Sequence, residues 1–251
     1  HEADLGDLIE ALPADQRSRL VELLGTDFDF TALTEVDDIV REEILEELPN
    51  EIVAEGMRDL DSDDAVRILE DLPEEDQAEI LERLPDDERQ ELERGLDYPE
   101  ESAGRRMQTD FLAVPPEWTV GQTIDYARED SDLPDSFYAI FVVDEDRRFV
   151  GGVPLDKLLR SQRPVKIVDI MVGDWRVVQA TADQEEAART FERYNLVSAP
   201  VVDDDGKLVG VLTIDDVVDV IEEEAAEDIK ALGGVSREEE ISDSLFYTAR
   251  L

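Results

Sequence analysis

Val142-Val143-Asp144-Glu145-Asp146-Arg147-Arg148-Phe149-Val150-Gly151 and Val201-Val202-Asp203-Asp204-Asp205-Gly206-Lys207-Leu208-Val209-Gly210 align without a gap, 59 residues apart. Both stretches read as an apolar strand, an acidic turn, a second apolar strand and a glycine. A helical segment follows each, at 155–160 and 214–222. Upstream, Met107 matches Met171 and Val114 matches Val178 at an offset of 64, so the first copy carries five extra residues, placed around 131–136. Predicted helices at 120–129 and 183–194 complete a tandem pair of α+β units, each βαββα.

The 102 residues before this pair read differently. Apolar residues recur every twelve positions, at Leu12, Leu24, Val36, Leu48, Leu60, Leu72, Leu84 and Leu96. Proline follows at Pro13, Pro49, Pro73 and Pro85, and Asp61 and Asp97 hold the same slot in two other copies. A second apolar stripe lies eight or nine residues on, as Leu20-Val21, Ile44-Leu45, Ile68-Leu69 and Ile80-Leu81. Each unit is predicted to be a short helix with proline in its first turn. Acids crowd the early positions, and Arg58, Arg83 and Arg94 come late, which suits the helix dipole. One such helix cannot bury its stripe alone, so an all-α superhelical array is expected.

Of 251 residues, 68 are acidic and 24 basic, for a net charge of −44. A nucleic-acid partner is excluded, because binding phosphates needs a basic face. There is no cysteine, and the single histidine is His1. Thiolate and imidazole metal sites, disulfides and cysteine or histidine catalysis go with them. No nucleophile–base pair is evident, so no enzyme is expected. No apolar run reaches the roughly 18 residues of a membrane span, so a soluble chain is expected. The acidity has two readings. One is a hydrated surface adapted to high salt, in keeping with only four lysines (157, 166, 207, 230) among the 24 bases. The other is convergence of some carboxylates on a divalent cation.

The tandem pair resembles CBS domains, which occur as face-to-face pairs, over about 120 residues. Its best-marked run is Gly210-Val211-Leu212-Thr213-Ile214-Asp215-Asp216. In that family the Thr and Asp of Gly-x-x-Thr-x-x-Asp hold an adenine nucleotide such as ATP, which implies nucleotide-binding roles for Thr213 and Asp216. Pro154 and Lys157 replace them in the first copy, so at most one such site is expected. The residues alone equally allow Thr213 to be a helix cap.

Between the halves stands Asp97-Tyr98-Pro99-Glu100-Glu101-Ser102-Ala103-Gly104-Arg105-Arg106-Met107. A helical repeat, this junction and a CBS pair together resemble the cytosolic part of MgtE-family magnesium channels and transporters. The resemblance implies a helical N domain at 1–102, CBS units at 103–164 and 165–224, and from 225–251 the start of a connecting (plug) helix to a membrane pore domain. It implies Mg²⁺ bridging the N domain, the CBS pair and the plug helix, with Asp97, Glu101, Asp203, Asp205, Asp215 and Glu239 as ligand positions. Ser236 stands where the family has a further acid. It also implies a homodimer formed through the CBS domains, on the cytoplasmic side of a membrane. Independently of the resemblance, Asp97 and Glu101 share a face if their segment is helical, as do Asp203 and Asp205 if theirs is extended. The hinge is expected near residues 98–104. A nucleotide-sensing CBS module on a helical scaffold is the alternative.

Overall fold

A computed structural model of the chain describes residues 1–129, 133–134 and 136–233. Glu239 and Ser236 lie outside the described residues, as do residues 131, 132 and 135 in the stretch where the insertion was placed.

The N-terminal half is helical throughout: α1 (Glu2–Ala11), α2 (Ala14–Leu24), α3 (Asp38–Glu47), α4 (Asn50–Gly56), α5 (Ser62–Glu70), α6 (Glu74–Arg83) and α7 (Asp86–Leu96). The period of twelve is that of the helix boundaries. Leu12, Leu48 and Leu84 close helices in extended geometry, and Pro13, Pro49, Pro73 and Pro85 open the next ones. Each proline is the N-cap, one position earlier than expected. Its φ of −53° to −61° comes with an extended ψ, and its carbonyl accepts the first helical N–H. The unit at 25–37 departs from the repeat. It forms two 3-10 turns, Gly25–Asp27 and Phe30–Leu33, because Gly25 takes φ +53° and Phe28 and Phe30 turn inward edge to face. Phe30 lies over Gly56, where a Cβ would stand 2.0 Å from the ring. The two stripes build one core, with Ile9, Val21, Leu33, Ile44, Val53, Ile68, Leu69 and Ile80 fully buried. Burial of each such side chain contributes roughly 1.5–3 kcal/mol.

The second half contains β1 (Ala113–Val114), α8 (Val120–Glu129), β2 (Ala139–Val143), β3 (Phe149–Pro154) and α9 (Leu155–Arg160). Then come α10 (Ile167–Ile170), β4 (Val178–Gln179), α11 (Gln184–Tyr194), β5 (Ser198–Val202), β6 (Leu208–Thr213) and α12 (Ile214–Gly233). Each sheet has three strands, one parallel pair and one antiparallel pair. The duplication extends to detail. The bulge at Val142/Val143 recurs at Val201/Val202, and the positive φ of Arg147 recurs at Gly206. α12 runs well past the expected end at 222, so the second CBS unit and the start of the connecting segment share one helix.

The two units exchange their leading segments. Gln108 pairs with Val211 of the second unit, and Val172 pairs with Gly152 of the first, all four hydrogen bonds being 2.8–3.1 Å. Ala103 N–H donates to Ala182 O as Ile167 N–H donates to Trp118 O. Met107 is buried in the second unit's core, against Gly210. Residues 101–108 therefore belong in space to the second CBS unit. Gln184 N–H reaches Glu101 O at 2.8 Å, and Ala180 O accepts from Gly104 at 2.8 Å. The expected hinge at 98–104 is thus pinned from Glu101 onward, leaving Asp97–Glu100 between the halves.

Candidate functional site

β6 delivers Thr213 to the first turn of α12, where it is the residue before the helix. Its N–H and Oγ1 both bond Asp216 Oδ2, at 2.9 and 2.5 Å. This is the back-reaching half of a capping box. The capping group is Asp216, which accepts from both donors of Thr213 and is occupied by them; among the described residues no helix N–H donates to the Thr213 hydroxyl.

α5 of the N domain lies over this turn. Asp63 falls three residues before Val66, on the inward face of α5, and is 9% exposed. It faces Asp216, and its Oδ1 has no hydrogen-bond partner. Burial first, then the charge of Asp216, holds the Asp63 carboxyl well above the usual carboxylate range. Burial and Asp216 also push Asp64 up to about 7. Asp216 is raised by burial, against the opposing pull of its bonds to Asp63 and Thr213. Two carboxyls facing each other in a buried seam disfavour being ionised together.

Around this carboxyl pair runs a seam of ion pairs. Arg67 of α5 reaches Asp219 through Nη1 at 2.6 Å and Glu223 through Nη2 at 2.7 Å, both on α12. Arg106 lies 3.3 Å from both Glu70 of α5 and Glu223, and Arg105 lies 3.0 Å from Glu70. Thr109 bonds Ser62, and also Glu91.

The proposed metal positions are not gathered. Asp97 is the C-cap of α7, exposed, and the chain turns away before Glu101, so these two share no helical face. Asp203 follows the end of β5 and turns back. Its Oδ1 accepts from the N–H groups of Asp205 (3.0 Å) and Lys207 (2.8 Å), as Asp144 does in the first unit. Asp203 and Asp205 thus form a turn rather than an extended pair. Asp203 lies near the junction, where its charge, after burial, raises the Tyr98 hydroxyl. Asp215 is exposed on the first turn of α12. Among the described residues no three acidic or histidine side chains are close enough to hold a metal ion directly.

A cleft between the two CBS units is lined by Asp110, Phe111, Phe137, Tyr138, Val211 and Thr213. Its walls are apolar and aromatic, Thr213 is part of its lining, and at about 20 Å³ it is too narrow as it stands to admit a purine. In the first unit Pro154 caps α9 and no hydroxyl–carboxylate pair exists.

Arg67, Asp63, Glu70, Arg106 and Glu223 were not singled out from sequence. One signal was available for Asp63. It shares the buried face of α5 with Val66, Ile68 and Leu69, where an acid is out of place.

The family model for the MgtE intracellular N domain matches residues 1–101, and that for the CBS domain matches 103–163 and 167–223. The crystal structure of the cytosolic domain of the Mg²⁺ channel MgtE in complex with ATP superposes with a TM-score of 0.79 at 30% identity. That match covers 88% of this chain and 90% of the other. The magnesium transporter MgtE of Bacillus subtilis is 30% identical over 227 residues, covering 90% of this chain and 50% of the relative. That of Thermus thermophilus is 38% identical over 138 residues, covering 55% of this chain and 31% of the relative. The chain thus spans half or less of the length of these curated relatives. No helix among the described residues is long and apolar enough to cross a membrane. With both halves matched in order, and its fold shared with an MgtE cytosolic domain nearly end to end, the chain belongs to the MgtE family and carries that family's N domain and CBS pair.

Proposed function

We propose that this chain is the Mg²⁺-sensing regulatory region of an MgtE-type transporter, on the cytoplasmic face of the membrane, coupled through α12 and the residues beyond it to a membrane pore domain. The observation that carries the reading is the docking of acidic α5 on the equally acidic first turns of α12, the helix that leads out of the CBS pair. Asp63, Asp64 and Asp216 repel one another there, and Asp97, Glu101, Asp203, Asp205 and Asp215 stand exposed or half-buried at the junction, the CBS turn and the helix start. Mg²⁺, when bound, supplies positive charge that offsets this repulsion. The docked N domain then restrains α12, and the undocked one releases it, a shift between two populations. Glu239, beyond the described residues, belongs to the same proposal as a ligand on the connecting segment. No step in this reading is catalytic.

A second copy of the chain is the proposed partner. Ile214, Val218 and Ile221 form an exposed apolar stripe on α12, and Leu159, the repeat equivalent of Val218, is exposed on α9. Related faces on both units suit a twofold CBS dimer.

The test is small-angle scattering of the chain during a Mg²⁺ titration at constant high KCl. The radius of gyration should fall with Mg²⁺, recover with chelator, and respond less in Asp97→Ala or Asp215→Ala. A size that stays flat to saturating Mg²⁺ refutes the reading and leaves the acidity to salt adaptation. A second reading, adenine-nucleotide sensing, is favoured by the ATP complex of the similar MgtE domain, with Thr213 lining the narrow cleft between the CBS units. Nucleotide binding with no Mg²⁺ response would select it.

A further inference from the structure

The seam between the halves holds its own cations. Arg67 projects from α5 with one guanidinium nitrogen on Asp219 and the other on Glu223, carboxylates four residues apart on one face of α12. Its side chain is 16% exposed, and that of Glu223 24%. Arg106, on the segment that belongs to the second CBS unit, lies between Glu70 of α5 and the same Glu223. Each half thus presents an arginine to acids of the other, in a chain whose acids outnumber its bases 68 to 24. A planar guanidinium can satisfy two carboxylates at once, which a lysine ammonium does less well.

We propose that Arg67 and Arg106 form a latch that docks the N domain on α12 without any metal ion, with Glu223 as its shared acceptor. This goes beyond the Mg²⁺ reading, since it assigns the protein a metal-independent basal docked state. Mg²⁺ would act on the repulsion that remains at Asp63, Asp64 and Asp216. The latch weakens with salt, because its pairs are only partly buried. It grips α12 near its middle, beyond the capped first turn, so its engagement restrains the helix itself.

The chain has no cysteine, so dyes can be placed at Glu22→Cys on α2 and Glu192→Cys on α11, both exposed, to read docking by energy transfer. In EDTA and about 0.1 M KCl the dye-labelled chain should be mostly docked. Arg67→Ala and Asp219→Ala should each lower the docked-to-undocked ratio on the order of ten- to a hundredfold, as expected for charged hydrogen bonds. The double variant should be little worse than the worse single one, and Arg67→Lys should recover part of the loss. Arg94→Ala, whose side chain bonds only within its own helix, should match the parent. Helix content by circular dichroism separates undocking from unfolding, and Asp219→Ala tests the contact from the other domain. A parent that is undocked in EDTA, singles that dock normally, or strictly additive losses would overturn the latch. Docking that appears only on adding Mg²⁺ overturns it while sustaining the sensor reading. A parent that docks in EDTA, together with an Arg67→Ala chain that is undocked there and that Mg²⁺ does not re-dock, sustains the latch and overturns the sensor reading.

Discussion

Asp63→Asn removes a buried titratable carboxyl while keeping its shape. In the docked state Asp63 is buried, carries one oxygen without a partner, and faces Asp216. Its ordinary value is 3.8, and the docked value is raised well above that. The docked state therefore binds a proton that the undocked state has lost. The sign follows directly: docking is fully supported below pH 3.8 and weakens as pH rises through the docked values, which for Asp64 means about 7. At pH 7.5, holding a proton on a group whose free value is 3.8 costs about 1.4 kcal/mol per unit over roughly 3.7 units, or about 5 kcal/mol. Leaving it ionised beside Asp216 is the competing cost, and the smaller of the two applies. An asparagine amide donates to Asp216 at every pH and pays neither. The variant should therefore dock about 2–5 kcal/mol more tightly at pH 7.5. The assay is interdomain energy transfer between pH 5 and 9 in EDTA at fixed ionic strength. In the parent the docking constant should fall by up to about tenfold per pH unit for each linked proton, and in Asp63→Asn the slope should lose one proton. Equal slopes, or weaker docking of Asp63→Asn at pH 7.5, would refute the protonated-pair reasoning.

Gly56→Ala should destabilise the N domain by about 2–3 kcal/mol, seen as a lower melting temperature, because the added Cβ would meet the Phe30 ring at 2.0 Å. Asp203→Ala removes an acceptor for two turn N–H groups and should cost about 1–2 kcal/mol of CBS stability in the absence of any metal. Asp203→Asn keeps one acceptor oxygen and should recover most of it, by thermal unfolding in EDTA.

The duplication at an offset of 59 was legible in its strands, turns and helix starts, because strand alternation, turn acids and the closing glycine are local signals, whereas the end of α12 was not. The repeat of twelve was equally plain, since Leu12, Leu48 and Leu84 end their helices and prolines begin the next. The unit at 25–37 kept the period and lost the helix, because two phenylalanines and Gly25 impose tertiary geometry that a period does not encode. At the candidate site, Thr213 and Asp216 could be found by motif. Their mutual bond, in which Asp216 accepts from Thr213, is a detail that spacing alone left open. Asp203 and Asp205 would share a face only in an extended segment, and β5 ends at Val202, so they stand in the acidic turn instead. Arg67 meets Asp219 across 152 residues of chain, and no local pattern carries that information. Asp63 shows the middle case, a local anomaly on an apolar face whose cause lies in another domain.

The exchange of leading segments between the CBS units also orders events during synthesis. Met107 and Gln108 leave the ribosome about a hundred residues before Gly210 and Val211, the backbone they lie against. Until those arrive, the first unit is itself incomplete, because Gly152 and Val172 close its edge only once the second has begun. Neither unit has a finished border of its own. The pair is made as one object, late, and a cut between residues 164 and 165 would separate two halves that each hold part of the other.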